Sequence, residues 1–82
     1  MRTNQDIVNY LNAVVNETDP KLFIKALDEI AKAKGVSKVA EKMAVSRESL
    51  YKSLNGEREP KFKTIDKFLR AIGMKVKFAP SF

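Results

Sequence analysis

Between residues 39 and 51 the chain reads VAEKMAVSRESLY, and two helical patterns meet there with almost nothing between them. Val39, Ala40 and Met43 are spaced to face inward from one short helix, and Leu50 and Leu54 from the next. The link, Ala44-Val45, is too short for an antiparallel hairpin, so the two helices must cross steeply, which is the geometry of a helix-turn-helix. Small Ala44 suits the tight link, and Val45 can plug the core between the helices. Ser46 is the N-cap of the second helix, and Asn55-Gly56 end it. The interruption serves to aim that second helix outward, with Arg47, Glu48, Ser49 and Lys52 on its solvent side.

The rest of the chain supplies a frame. Ile7, Tyr10, Leu11, Val14 and Val15 follow the spacing of an amphipathic helix. Asp19 and Pro20 restart the chain as an N-cap and a first helical residue. Leu22, Phe23, Ala26, Leu27, Ile30 and Ala31 then form one stripe, closed at Gly35 with positive φ. Ser37 is the N-cap candidate for the short helix through Met43. After the polar loop 57–60, Phe62, Ile65, Phe68, Leu69 and Ile72 give a fifth helix that stops at Gly73. Met74-Lys75-Val76-Lys77-Phe78 alternates apolar and polar, which predicts a short strand with one apolar face. The expected architecture is all-α, five helices with a short C-terminal β-strand: an N-terminal helix in 1–18, the helix-turn-helix domain in 19–73, and strand and tail in 74–82.

Charge is uneven along these 82 residues. Residues 1–34 carry five basic and five acidic side chains, while 35–82 carry eleven basic against five acidic, so the net +6 lies in the second part. Such asymmetry suits one half that meets a polyanion, or a solvated lysine-rich surface. Cysteine and histidine are absent, which removes disulfides, thiolate nucleophiles, zinc–sulfur sites and the commonest general base. No acid and base pair stands out from the helical stripes, so no catalytic residues, metal or cofactor are expected. No apolar run approaches the roughly 20 residues of a membrane span. With no apolar leader in MRTNQDIVNY, a soluble cytoplasmic protein with no membrane partner is the expectation.

A helix at this position of a helix-turn-helix presents its first residues to base edges in the major groove of double-stranded DNA. Arg47 is read as a base contact to a guanine edge, with an ordinary surface arginine as the alternative. Glu48 accepts from cytosine N4 or serves the helix dipole. Ser49 and Lys52 touch a base, a phosphate or water. Ser37 and Lys38 stand with the first N–H groups of the short helix, available to phosphate. Arg58, Lys61 and Lys63 surround the loop after the outward helix as phosphate clamps or a solvated loop. Tyr51 is expected to pack, with its hydroxyl at the rim.

Residues 36–73 resemble the Xre/Cro-type repressor helix-turn-helix in Ala40, Ser46, Gly56, Pro60 and the Ile65, Leu69, Ile72 helix. From Tyr10 to Pro80 the chain resembles the addiction-module antidote proteins (HigA-type antitoxins), through YLNAVV, DPKLFIKALDEIAKAKG, VSKVAEKMAVSRESLYKSLNGEREPKF and GMKVKFAP. That resemblance implies a small antitoxin that binds and neutralises a RelE/ParE-like toxin and represses its shared operon as a homodimer. It places Arg47, Glu48, Ser49 and Lys52 at base-reading positions and Ser37, Lys38 and Ser46 at phosphate positions. Two departures are visible: the segment 37–40 is one residue shorter than usual and offers Lys38 where a glutamine is common, and Lys61 replaces a frequent capping serine.

A dimer would set two such helices in successive major grooves, roughly 34 Å apart. Met74, Val76 and Phe78 pair with a second copy or fold back on their own domain. Ile7, Tyr10, Leu11, Val14 and Val15 hold a partner or cover the core. A phage-type repressor without a toxin is the alternative function, and an interaction module that has lost DNA binding is the third.

Overall fold

Three of the helices begin where the sequence supplies a side-chain oxygen. In the computed structural model, which describes residues 3–17, 19–56 and 58–81, the elements are α1 (Asn4–Val15), α2 (Pro20–Lys34), α3 (Val36–Met43), α4 (Arg47–Leu54) and α5 (Phe62–Ala71). Thr3 Oγ1 accepts from the Asp6 N–H at 3.1 Å, while the Asp6 carboxylate accepts from the Thr3 N–H at 3.2 Å. This reciprocal box fixes the start of α1; its signal, a threonine three residues before an acid, is present in the sequence. Asp19 accepts from the Lys21 N–H at 2.9 Å, with Pro20 at the first turn of α2. Ser46 Oγ accepts from the Ser49 N–H at 3.0 Å and opens α4.

The start of α3 differs from the sequence expectation. Gly35, at φ +99°, ends α2 and is also the residue before α3, so Val36 is already helical and Ser37 lies inside the first turn rather than capping it. A glycine can turn the chain this sharply because it has no Cβ to clash, and the helix then starts without a side-chain cap.

The turn that reorients the chain is closed by backbone groups. Ala44 is left-handed, at φ 58° and ψ 39°. Its N–H donates to the Glu41 C=O and the Val45 N–H to the Ala40 C=O, both at 3.0 Å. That pattern satisfies two orphan carbonyls at the end of α3. Any residue with a Cβ is strained in this region by about 1 kcal/mol. Ala44→Gly should therefore stabilise the domain by about 0.5–1 kcal/mol, read as a higher urea midpoint at unchanged slope. A lower midpoint would show that the turn is not held in this conformation.

Packing centres on α2 and α3. α2 lies against α1, α3 and α4, while α3 also touches α4 and α5. Leu27 and Ile30 of α2 are wholly buried, and Ile7, Val39, Leu50 and Phe68 close the core from α1, α3, α4 and α5. Val45 is half-buried against the same cluster, in the gap between α3 and α4. Tyr10 Oη donates to Glu29 Oε2 at 2.6 Å, tying α1 to α2. That hydrogen bond, with partial burial and the nearby carboxylate charge, raises the Tyr10 hydroxyl pKa above the ordinary tyrosine value. Three stripe residues lie outside the core: Val15, Leu22 and Phe62 are exposed.

The C-terminal strand does not form. Residues 74–81 carry no strand, and the fold is all-helical among the described residues. The alternation survives as packing. Met74 and Val76 are half-buried against the core, whereas Phe78 is 91% exposed. A strand needs a neighbouring strand for its backbone bonds, and five helices offer none.

Candidate nucleic-acid interface

The site begins at the Ser46 cap. Because Ser46 holds the Ser49 N–H, the first turn of α4 is fixed in direction, and Leu50 and Leu54 anchor its inner face. Arg47, Glu48, Ser49 and Lys52 are all exposed, so no element among the described residues covers that side. The Ser53 hydroxyl donates back to the Ser49 C=O at 3.0 Å, which keeps this small side chain within the helix surface.

The expected phosphate residues sit on the elements flanking α4. Ser37 and Lys38 are exposed in the first turn of α3, the helix against which α4 packs. The Lys38 stem lies beside Gly35. Arg58, Lys61 and Lys63 are exposed along the loop from α4 and into the first turn of α5. Ser46 is exposed as well; its oxygen accepts within the cap, and its O–H can still donate.

Ion pairing leaves most cations of the described residues free, those around α4 and others such as Lys42 and Lys67 alike. The two ion pairs among the described residues are Lys32–Asp28 at 3.0 Å and Arg70–Asp66 at 3.1 Å. Neither involves Lys38, Arg47, Lys52, Arg58, Lys61 or Lys63. Six of these exposed cations fall on α3, on α4 and on the loop into the first turn of α5, a distribution suited to a polyanion.

Tyr51 departs from expectation. It is 59% exposed rather than packed. It follows Arg47 by four residues, so the two share one flank of α4, beside Lys32 of α2. The Asp28 carboxylate, by hydrogen bond and charge, raises the Lys32 ammonium pKa above the usual lysine value, and Tyr51 adds a smaller attraction. Tyr51 also rims a groove of about 850 Å³ whose apolar wall includes Val14, Phe23, Ile24, Leu54 and Pro60. Sequence reading placed neither the groove nor Lys32, because a helical stripe shows which face is apolar and not how closely the next element approaches.

The residues expected at a partner surface divide. Ile7 is buried and offers nothing to a partner; Tyr10, Leu11 and Val14 are half-buried, as are Met74 and Val76, and Phe78 projects freely. Among the described residues no cluster of acidic side chains is close enough to hold a metal ion, and no helix is long and apolar enough to cross a membrane.

Comparison with known proteins adds a family. Residues 1–80 match the model of a family described as "probable addiction module antidote protein". A Haemophilus influenzae protein described as uncharacterized is 35% identical over 74 residues, covering 90% of this chain and 76% of that protein. No solved structure is matched.

Proposed function

The chain belongs to the addiction module antidote family, and from that premise we propose that it is the antitoxin of a type II module that also represses its own operon. An antidote implies a toxin as partner. In this reading the toxin has a RelE/ParE-like fold and is neutralised by direct binding, while two copies of the chain occupy a palindromic operator. The protein acts by binding, with no catalytic step of its own, in the cytoplasm.

The observation that supports the DNA-binding half is the uncovered, cation-bearing start of α4. Arg47, Glu48, Ser49 and Lys52 read base edges, while Ser37, Lys38, Ser46, Arg58, Lys61 and Lys63 hold phosphates on either side. The division of labour is testable. A gel-shift series on the region upstream of the gene should show sequence-specific binding. Arg47→Ala should then relax preference at one base pair, costing roughly 1–3 kcal/mol there. A loss spread evenly over all sequences would make Arg47 a phosphate contact instead. A chain that binds no DNA but captures the protein encoded beside it would keep the antitoxin and remove the repressor.

A further inference from the structure

Beyond α5 the chain has the side-chain pattern of a strand and none of its pairing. The Met74 N–H donates to the Leu69 C=O at 2.7 Å. From Lys75 to Ser81 no backbone N–H finds an acceptor among the described residues. Met74 and Val76 pin one face to the core, which fixes the opposite face: Lys75 and Lys77 are exposed on it. Phe78, next in the alternation, is 91% exposed. Pro80 lacks an N–H and bounds any ladder at Ala79. Residues 74–79, if fully extended, span about 20 Å, the length of an ordinary strand.

We propose that residues 74–79 add as an edge strand to a sheet of the toxin, on an edge bearing acidic side chains opposite Lys75 and Lys77, with Phe78 seated on an apolar patch beside it. This rests on the antidote reading, which supplies a second protein. Charge argues for that partner over a second copy of the chain. Antiparallel self-pairing that uses residues 74–78 fully is centred on Val76, and it sets Lys75 directly across from Lys77 twice, a like-charge arrangement that opposes pairing. An acidic edge reverses the sign of both contacts. Addition of an extended segment to a sheet edge draws affinity from the backbone and specificity from alternate side chains, and those are the two features this segment leaves unused.

The test uses the full chain co-expressed with the protein encoded beside it. Amide hydrogen exchange over 75–79 should be fast in the free chain and slowed about a hundredfold or more in the complex. Lys77→Pro, which deletes a ladder amide from an exposed position, should weaken the complex about tenfold or more, as should Lys75→Glu combined with Lys77→Glu. Each variant should keep the circular dichroism and melting of the parent, since these side chains lie outside the core. A complex that forms while 75–79 still exchange freely overturns the proposal. So does protection in the free chain that grows with concentration, because the second copy is then the occupant. If the parent chain does not hold the neighbouring protein at all, the antitoxin reading falls, a result separate from either of those.

Discussion

Replacing Phe68 with alanine is expected to cost about 3–5 kcal/mol, the range for removing a large aromatic side chain from a packed core. Phe68 is 1% exposed and lies in the cluster that also holds Leu27, Ile30, Val39 and Leu50. The cavity would open where α5 meets α3, the helix that orients α4. For a chain of this length the whole folding free energy is roughly 4–12 kcal/mol, so the variant should populate the unfolded state measurably at room temperature. Far-UV circular dichroism in a urea series reads this directly, as a midpoint shifted far toward zero denaturant. The control lies in the same helix. Phe62 is 61% exposed, and Phe62→Ala should change stability by no more than about 0.5 kcal/mol. Similar costs for the two would mean that α5 is turned about its axis relative to the arrangement described.

The contrast between those two phenylalanines shows what the sequence could and could not carry. Helical spacing assigned both to one stripe, because an apolar period reports a face and is blind to where a neighbouring helix begins. Phe62 is the first residue of α5, and the stripe is covered only from Ile65 onward. Tyr51 failed for a related reason: it lies on the flank between the buried Leu50, Leu54 face and the open Lys52 side, where burial depends on how near α2 comes. Asp19 and Ser46 were readable, since a capping oxygen acts within its own turn and needs no tertiary information. Ser37 misled because Gly35, two residues earlier, already supplies the turn. The predicted strand misled most. Alternation at 74–78 holds for Met74 and Val76, which turn inward, and not for Phe78, which is exposed; a ladder needs a second strand, and none is present among the described residues. At the site, exposure of Glu48, Ser49 and Lys52 followed from the positions of Leu50 and Leu54, whereas Arg47, three residues before Leu50, shares their side of the helix and is open at the first position of α4. The absence of ion pairs around the neighbouring cations did not follow, because it depends on which acids the fold brings close.

Those unpaired cations carry the second large expectation. Combined alanine replacement of Arg58, Lys61 and Lys63 should lower the slope of log affinity against log salt by about 2.7, from a contribution of about 0.9 for each phosphate contact on duplex DNA. Over a fourfold salt increase, from about 50 to about 200 mM, the variant should therefore lose about fortyfold less affinity than the parent. At low salt it should bind more weakly, and equally so for operator and unrelated duplex, since phosphates carry no sequence. This separates it from Arg47→Ala, whose effect depends on the base at one position. Folding should be nearly unchanged: all three side chains are exposed, and Lys61, the residue before α5, makes no side-chain cap bond. Polarity along α5 gives the internal check. Lys67 and Arg70 lie toward its carboxyl end, with Arg70 held by Asp66, whereas Lys61 and Lys63 lie at the amino end beside the loop from α4. If the amino ends of α3 and α5 face the phosphates, alanine at Lys67 and Arg70 should leave the salt slope where it was. A slope that falls equally for both sets would mean that the polyanion is held by the overall +6 charge rather than by an oriented surface, and α4 would lose its claim to a groove.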